Sequence, residues 1–354
     1  MKLSSITRYL FIGILFPLLI QYVMYYRFTS NYQPNIFSES GFRTFYENSV
    51  FKYRVLGREL HLWLYHKLKE KKSLQNMKEG KIYEKRLFAL DPNADPLFYM
   101  VYYIINGVFS VLLALGLLYL FDHTSWFNMN ETDKIFTTVI LTLIIAITQF
   151  VPTPYDIPAY FFEVITFTVF LKYLRSNNNL LLVIATCALI FIATLIRESA
   201  VLILSLMAAI YFTINGLDWS WIKKMILPVI SFFVAYVGLR MYVNSTTVQI
   251  SENSKLSQNL SLRPSAMLGI FIAIIIFYLL FKAATKAENK KLVRNFILFT
   301  LPYVVMIFFI GLLIEFRLWV PLMLGTAMLY KLNLNAFDSS HSIDEKRSVL
   351  SANT

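Results

Sequence analysis

About ten apolar runs, each near the roughly 17–25 residues that carry a helix across a bilayer, constrain this chain more than anything else in it. They fall at 8–26, 98–121, 135–152, 158–174, 179–196, 199–215, 225–243, 265–281, 295–314 and 316–332. In hydrocarbon a backbone must satisfy its own polar groups, and runs of this length do so as helices. With 57% hydrophobic and only 15% charged residues, the chain is too apolar for a soluble protein. The expected fold class is all-α, a polytopic transmembrane bundle of about 10 spans forming one domain over 1–332. The remainder, 333–354, is rich in Ser, Asn and charge and reads as a disordered cytoplasmic tail.

The first run follows Lys2 and Arg8 but lacks a small-x-small cleavage site, so it reads as a retained anchor. After it comes a polar segment, 27–97, far longer than any other connection. Within it Val50, Phe51, Val55, Leu56, Leu60, Trp63 and Leu64 recur at near-helical spacing, which predicts an interfacial amphipathic helix. Arg58, His61 and His66 would then lie against lipid phosphate, and the charge run "KEKKSLQNMKEGKIYEKR" would be a solvated turn. Cys187 is the single cysteine, so disulfides within the chain and a cysteine metal site are excluded. Asn130, Asn244 and Asn259 open N-x-S/T sequons, which also arise by chance. The net charge of +12 suits a protein facing anionic lipid and needs no nucleic acid.

Orientation follows the short connections. A cytoplasmic N-terminus gives that side Lys172, Arg175, Lys223, Lys224, Lys282, Lys286, Lys290, Lys291 and Arg294, as the positive-inside rule requires. Four charged spots then share the outer face: the loop with "FKYRVLGREL", the proline-broken "QFVPTPYDIPAYFFEV", the pair Arg197-Glu198 in "IATLIRESAVLIL", and Glu315 with Arg317 in "LLIEFRLWVP". Charge inside a span costs about 2.5–3.5 kcal/mol at the bilayer centre, so such residues sit at helix ends or have work to do. Asp156, Tyr160 and Glu163 lie at i, i+4 and i+7 on one helix face. Glu163, over a turn deep, needs a partner, for which Arg240 and Arg197 are the candidates. Several arginines and carboxylates at one face make a site able to hold an anion and move a proton.

These residues resemble the polytopic glycosyltransferases of the GT-C superfamily, and within it a small bacterial branch. The likeness rests on a single span, a long first extracytoplasmic loop with "YR-x-L" (Tyr53, Arg54, Leu56), a "D-x-P" turn (Asp156, Pro158), "RE-[ST]-A" (Arg197 to Ala200) and "E-x-R" (Glu315, Arg317). Each motif is short, but together they run in order over about 30–320. The resemblance implies an inner-membrane enzyme with cytoplasmic termini, moving a sugar from a polyprenyl-phosphate-linked donor to a glycan or lipid acceptor on the outer face. It also implies a carboxylate base early in the first loop, where this chain offers Glu39 and Glu47. The family's usual aspartate is missing there, since no Asp precedes Asp91.

The chemistry asks for a carboxylate within reach of the acceptor hydroxyl and positive charge at the departing phosphate. Asp156, Glu47 or Glu39 could be that base. Arg54, Arg197 and Arg317 could hold phosphate bidentately, with Tyr53, Glu163, Glu198 and Glu315 completing the substrate site. No metal is demanded, although the carboxylates would permit Mg²⁺ or Mn²⁺. Three other readings compete. A polysaccharide polymerase or ligase would bring a long late loop, a transporter of an anionic or lipid-linked substrate would bring repeated halves, and a scaffold would leave the gathered charge unexplained.

Overall fold

The computed structural model describes residues 5–28, 36–71, 87–89, 91–150, 152–176, 179–243, 255–260, 264–284, 286–313 and 315–337. Among them every regular element is helical, apart from one isolated bridge between Phe127 and Leu332. The elements are α1 (Ser5–Arg27), α2 (Glu39–Glu47), α3 (Val55–Lys69), α4 (Pro96–Asp122), α5 (Glu131–Ile147), α6 (Asp156–Arg175) and α7 (Leu180–Ile196). Then follow α8 (Val201–Asn215), α9 (Trp219–Tyr242), α10 (Pro264–Ala283), α11 (Ala287–Phe299), α12 (Leu301–Ile310) and α13 (Val320–Leu329).

All ten apolar runs carry helix, but they are not equal. Five helices are long and apolar enough to cross a membrane: α1, α4, α6, α9 and the stretch Glu198–Asn215, which is α8 with the turn before it. A sixth crossing counts if α11 and α12 are one span bent by 43°. Pro302, in the first turn of α12, has no N–H to continue the ladder, and the helix breaks there. Helices α7 and α13 are apolar but shorter.

Packing order places the site. Helix α4 lies against α1, α3, α5 and α6; α7 lies against α6 and α9; α8 lies against α11 and α13. One core fills the space between α4 to α8 and α13, with Phe121, Phe167, Phe170, Leu206 and Met323 fully buried. A second, aromatic core joins the loop to the bundle through Phe37, Phe42, Tyr46, Phe98, Tyr99 and Tyr102. The loop is tied down by its backbone as well: the Phe37 amide donates to Asp91 Oδ2 at 3.1 Å and the Asp95 amide to the Phe37 carbonyl at 2.9 Å.

The loop helix differs from the expected stripe. Val50–Tyr53 forms a 3-10 turn, Arg54 breaks the backbone, and α3 starts at Val55. Its buried face is Gly57, His61, Leu62 and Tyr65, packed on protein, while Leu56 and Trp63 face outward. A Cβ on Gly57 would stand 2.8 Å from the Tyr155 Cβ and 3.1 Å from the Pro154 carbonyl, so glycine is what lets α3 abut the proline turn. His61 does not face lipid phosphate: it is fully buried between the rings of Phe42, Phe98 and Tyr102, 4.1–5.1 Å away centre to centre. Desolvation drops its pKa to about 3, so it stays neutral. Arg58 pairs with Glu59, and His66 with Glu39 at 3.3 Å.

Three further expectations meet the structure. The chain after 332 is packed as far as Phe337, with the Asn333 amide bonded to the Trp126 carbonyl at 2.7 Å; residues 338–354 lie outside the described residues, as do 72–86 of the charge run and the sequon at Asn244. Asn259 is buried, its amide donating to the carbonyls of Phe308 and Gly311 at 2.8 Å each, so it serves the fold and not a glycan. Asn130 caps α5 in a reciprocal capping box with Asp133.

Candidate functional site

Three interruptions of helix and the start of α6 meet at one end of the bundle. Pro152 and Pro154 precede a bend at residues 154–155, and Asp156 opens α6, where the helix dipole favours a carboxylate. Between α7 and α8, Arg197 is in extended backbone and Glu198 begins a 3-10 turn, so the adjacent charges point to different partners. Arg317 lies in another 3-10 turn, Phe316–Leu318. Arg54 precedes α3, a place where the dipole disfavours a cation.

Asp156 is the hub. Its Oδ1 is 3.0 Å from the Arg197 guanidinium and its Oδ2 is 3.7 Å from that of Arg317. The carboxylate is wholly buried, and the side chains of Arg197 and Arg317 are 2% and 7% exposed. Tyr160, one turn into α6, accepts from Arg197 Nη1 at 3.1 Å and donates to the Arg317 carbonyl at 3.0 Å, fixing both arginines. Glu198 accepts from Arg54 Nε at 3.3 Å, and Glu315 accepts from Arg317 Nη2 at 3.1 Å. Arg54 is also stacked between Tyr155 and Phe51, with its guanidinium carbon 4.3 Å and 4.6 Å from the ring centres.

Beside this cluster is a cavity of about 460 Å³. Its lining combines four cations, Arg54, Arg197, Arg317 and Lys255, and the carboxylate of Glu315 with the apolar side chains of Met306, Ile307, Ile310, Leu312 and Leu318. Phe45, Asn48 and Ser49 of the loop also line it. Lys255 and these loop residues were not legible as site residues, because nothing in their local sequence sets them apart. Four cations to one lining carboxylate, with apolar side chains in the same lining, is a chemical match for an anion that carries an alkyl chain.

The sequence candidates separate in this geometry. Arg54, Arg197, Glu198, Glu315, Arg317 and Asp156 come together. Asp156 pairs with two arginines that line the cavity and is not itself among the lining residues. Glu39 is engaged by Arg43 at 2.9 Å and by His66, and neither it nor Glu47 lines the cavity; Glu47 is exposed at the end of α2, next to the cavity residues Asn48 and Ser49. Tyr53 lies under Arg240, 4.7 Å from ring centre to guanidinium, outside the cavity. Arg240 is thereby occupied with Tyr53 and Tyr236 and is not the partner of Glu163. Glu163 is buried deeper in α6, with no hydrogen-bond partner for its Oε1 among the described residues.

Among the described residues no three His, Cys, Asp or Glu side chains gather at ligand spacing, and Asp156, Glu198 and Glu315 are each already paired with a guanidinium. No protein-family model, curated protein or solved structure matches this chain.

Proposed function

We propose that this chain is a membrane glycosyltransferase of the GT-C type, which takes a sugar from a polyprenyl-phosphate-linked donor and transfers it to a glycan or lipid acceptor. One observation carries the reading: Arg54, Arg197 and Arg317, from three distant segments, line one cavity together with the apolar side chains of Ile307, Ile310 and Leu318. A polyprenyl phosphate has both parts, a phosphate for the guanidiniums and an isoprenoid chain for Ile307, Ile310 and Leu318. A soluble anion would leave the apolar lining without purpose.

In the reaction the acceptor hydroxyl attacks the anomeric carbon, the bond from that carbon to the phosphate oxygen breaks, and the hydroxyl proton passes to a carboxylate. Glu315 is the carboxylate on the cavity wall and takes the role of base, in place of Glu39, Glu47 or Asp156. The arginines receive the charge that grows on the departing phosphate, and because Asp156, Tyr160 and Glu198 hold them in place they need not reorganise as it grows. The wider arrangement we propose is an inner-membrane protein whose ten helical runs insert as about ten spans or part-spans. Both termini are cytoplasmic, the site end faces outward, and Leu56 and Trp63 of α3 rest in the interface.

The test is transfer by purified protein from a radiolabelled polyprenyl-phosphate sugar into extracted envelope glycolipid. Arg197→Ala and Arg54→Ala should reduce transfer at least a hundredfold while the protein still inserts; full activity in both would refute the assignment.

A further inference from the structure

Away from the cavity, the packed helices α1, α4 and α5 carry buried polar side chains that the site does not use. Gln21 on α1 is fully buried, and neither end of its amide has a partner among the described residues. The same holds for the hydroxyls of Ser110 on α4 and of Thr138 and Thr142 on α5. Threonines elsewhere in the bundle behave differently: Thr166, Thr168, Thr186, Thr194, Thr213 and Thr326 each donate to the carbonyl four residues earlier, the usual resting place of a hydroxyl in a helix. Thr138 and Thr142 do not.

The register strings these groups into a line. Tyr9 bonds Asp122, and Asn106 bonds Tyr25 at 2.6 Å, so α1 and α4 run antiparallel. One turn inward from the Tyr25–Asn106 pair on each helix stand Gln21 and Ser110, opposite one another. On α5, Lys134 bonds Asp122 and Glu131, and Thr138 and Thr142 follow one and two turns later on the same face. Opposite Thr142, eight residues from Asp122, α4 offers only the small Ala114. At one end the line meets the ion cluster of Arg8, Asp122, Glu131 and Lys134. At the other, Asn106 Nδ2 donates to the Thr153 carbonyl at 2.8 Å, three residues before Asp156.

We propose that this seam binds a file of water molecules linking the two ion clusters through the bundle. Successive rungs are about 6 Å apart, four residues of helix rise, and two hydrogen bonds through one water span about that distance. Water supplies the partners that buried amides and hydroxyls otherwise lack. The file hydrates the buried face of the arginine–Asp156 cluster by a route that avoids the cavity, and it does not depend on the reaction assigned above.

Microsecond hydroxyl-radical labelling of the full chain in nanodiscs, read by mass spectrometry, tests this, since bound water generates radicals inside a protein. Ser110→Cys and Thr142→Cys should be oxidised at least tenfold faster than Leu202→Cys and Leu206→Cys, which are equally buried on α8; a ratio near one would overturn the proposal. A second measurement guards against misfolded cysteine variants. Thr142→Val should lower the melting temperature more than Thr194→Val, whose hydroxyl bonds its own helix at 2.7 Å, whereas a Thr142→Val protein more stable than the parent would mean a dry seam.

Discussion

Replacing Asp156 by Asn removes the one charge that holds two buried arginines together while keeping the shape of the side chain. At 3.0 Å from Arg197 and an effective dielectric of about 20, the lost attraction is about 5 kcal/mol. The more distant Arg317, at 3.7 Å, adds to it. Measured losses on breaking one side of a buried pair run about 3–5 kcal/mol, because the remaining charge stays buried and unpaired. For a chain of this size that is a fall in melting temperature on the order of 10 °C. The assay is thermal unfolding of parent, Asp156→Asn, Arg197→Met and the double variant in one detergent. The double variant should recover much of the stability lost in Asp156→Asn, since the most buried unpaired cation is gone. An Asp156→Asn protein that melts like the parent but has lost all transfer would refute this reasoning and return Asp156 to the role of base.

Glu315→Gln should behave in the opposite way, losing at least a hundredfold in transfer with a melting temperature within a few degrees of the parent, as measured on the same samples. Gly57→Ala should cost about 1–3 kcal/mol of stability through overpacking, read by thermal unfolding, because its new methyl would meet Tyr155 and Pro154. His61 gives the pH dependence. Its pKa falls from an ordinary 6.5 to about 3 on folding, so its neutral form contributes fully above pH 6.5. That contribution is lost as pH drops toward 3, about 5 kcal/mol in all at roughly 1.4 kcal/mol per unit. A His61→Phe variant should flatten that part of the stability–pH curve, and an unchanged curve would count against the aromatic cage.

The chain yields its helices readily because apolar length is a local signal. Every run proved helical, yet length alone could not foresee that Pro302 breaks one of them or that α7 and α13 stop short. The charged turns were legible for the same local reason: "IRES" and "EFR" place arginines where helices end. What each arginine touches was not. Arg197 and Glu198 are neighbours in sequence but serve Asp156 and Arg54, which are set by the packing of α3 and α6. His61 was misread as a surface base, since Phe42, Phe98 and Tyr102 come from other segments. That Glu315 lines the cavity while Glu39 and Glu47 do not was not legible either, because Glu315 reaches the cavity only once α12 and α13 have packed. The polar seam left no trace, since threonine in a membrane helix ordinarily bonds its own backbone.

The central claim is that three guanidiniums grip a lipid-borne phosphate. A structure of the protein in nanodiscs with added polyprenyl phosphate tests it most directly. The phosphate should lie within hydrogen-bond distance of Arg54, Arg197 and Arg317, with the isoprenoid chain along Ile307, Ile310 and Leu318. Lipid phosphate bound elsewhere, with this cavity holding none at saturating lipid, would contradict it.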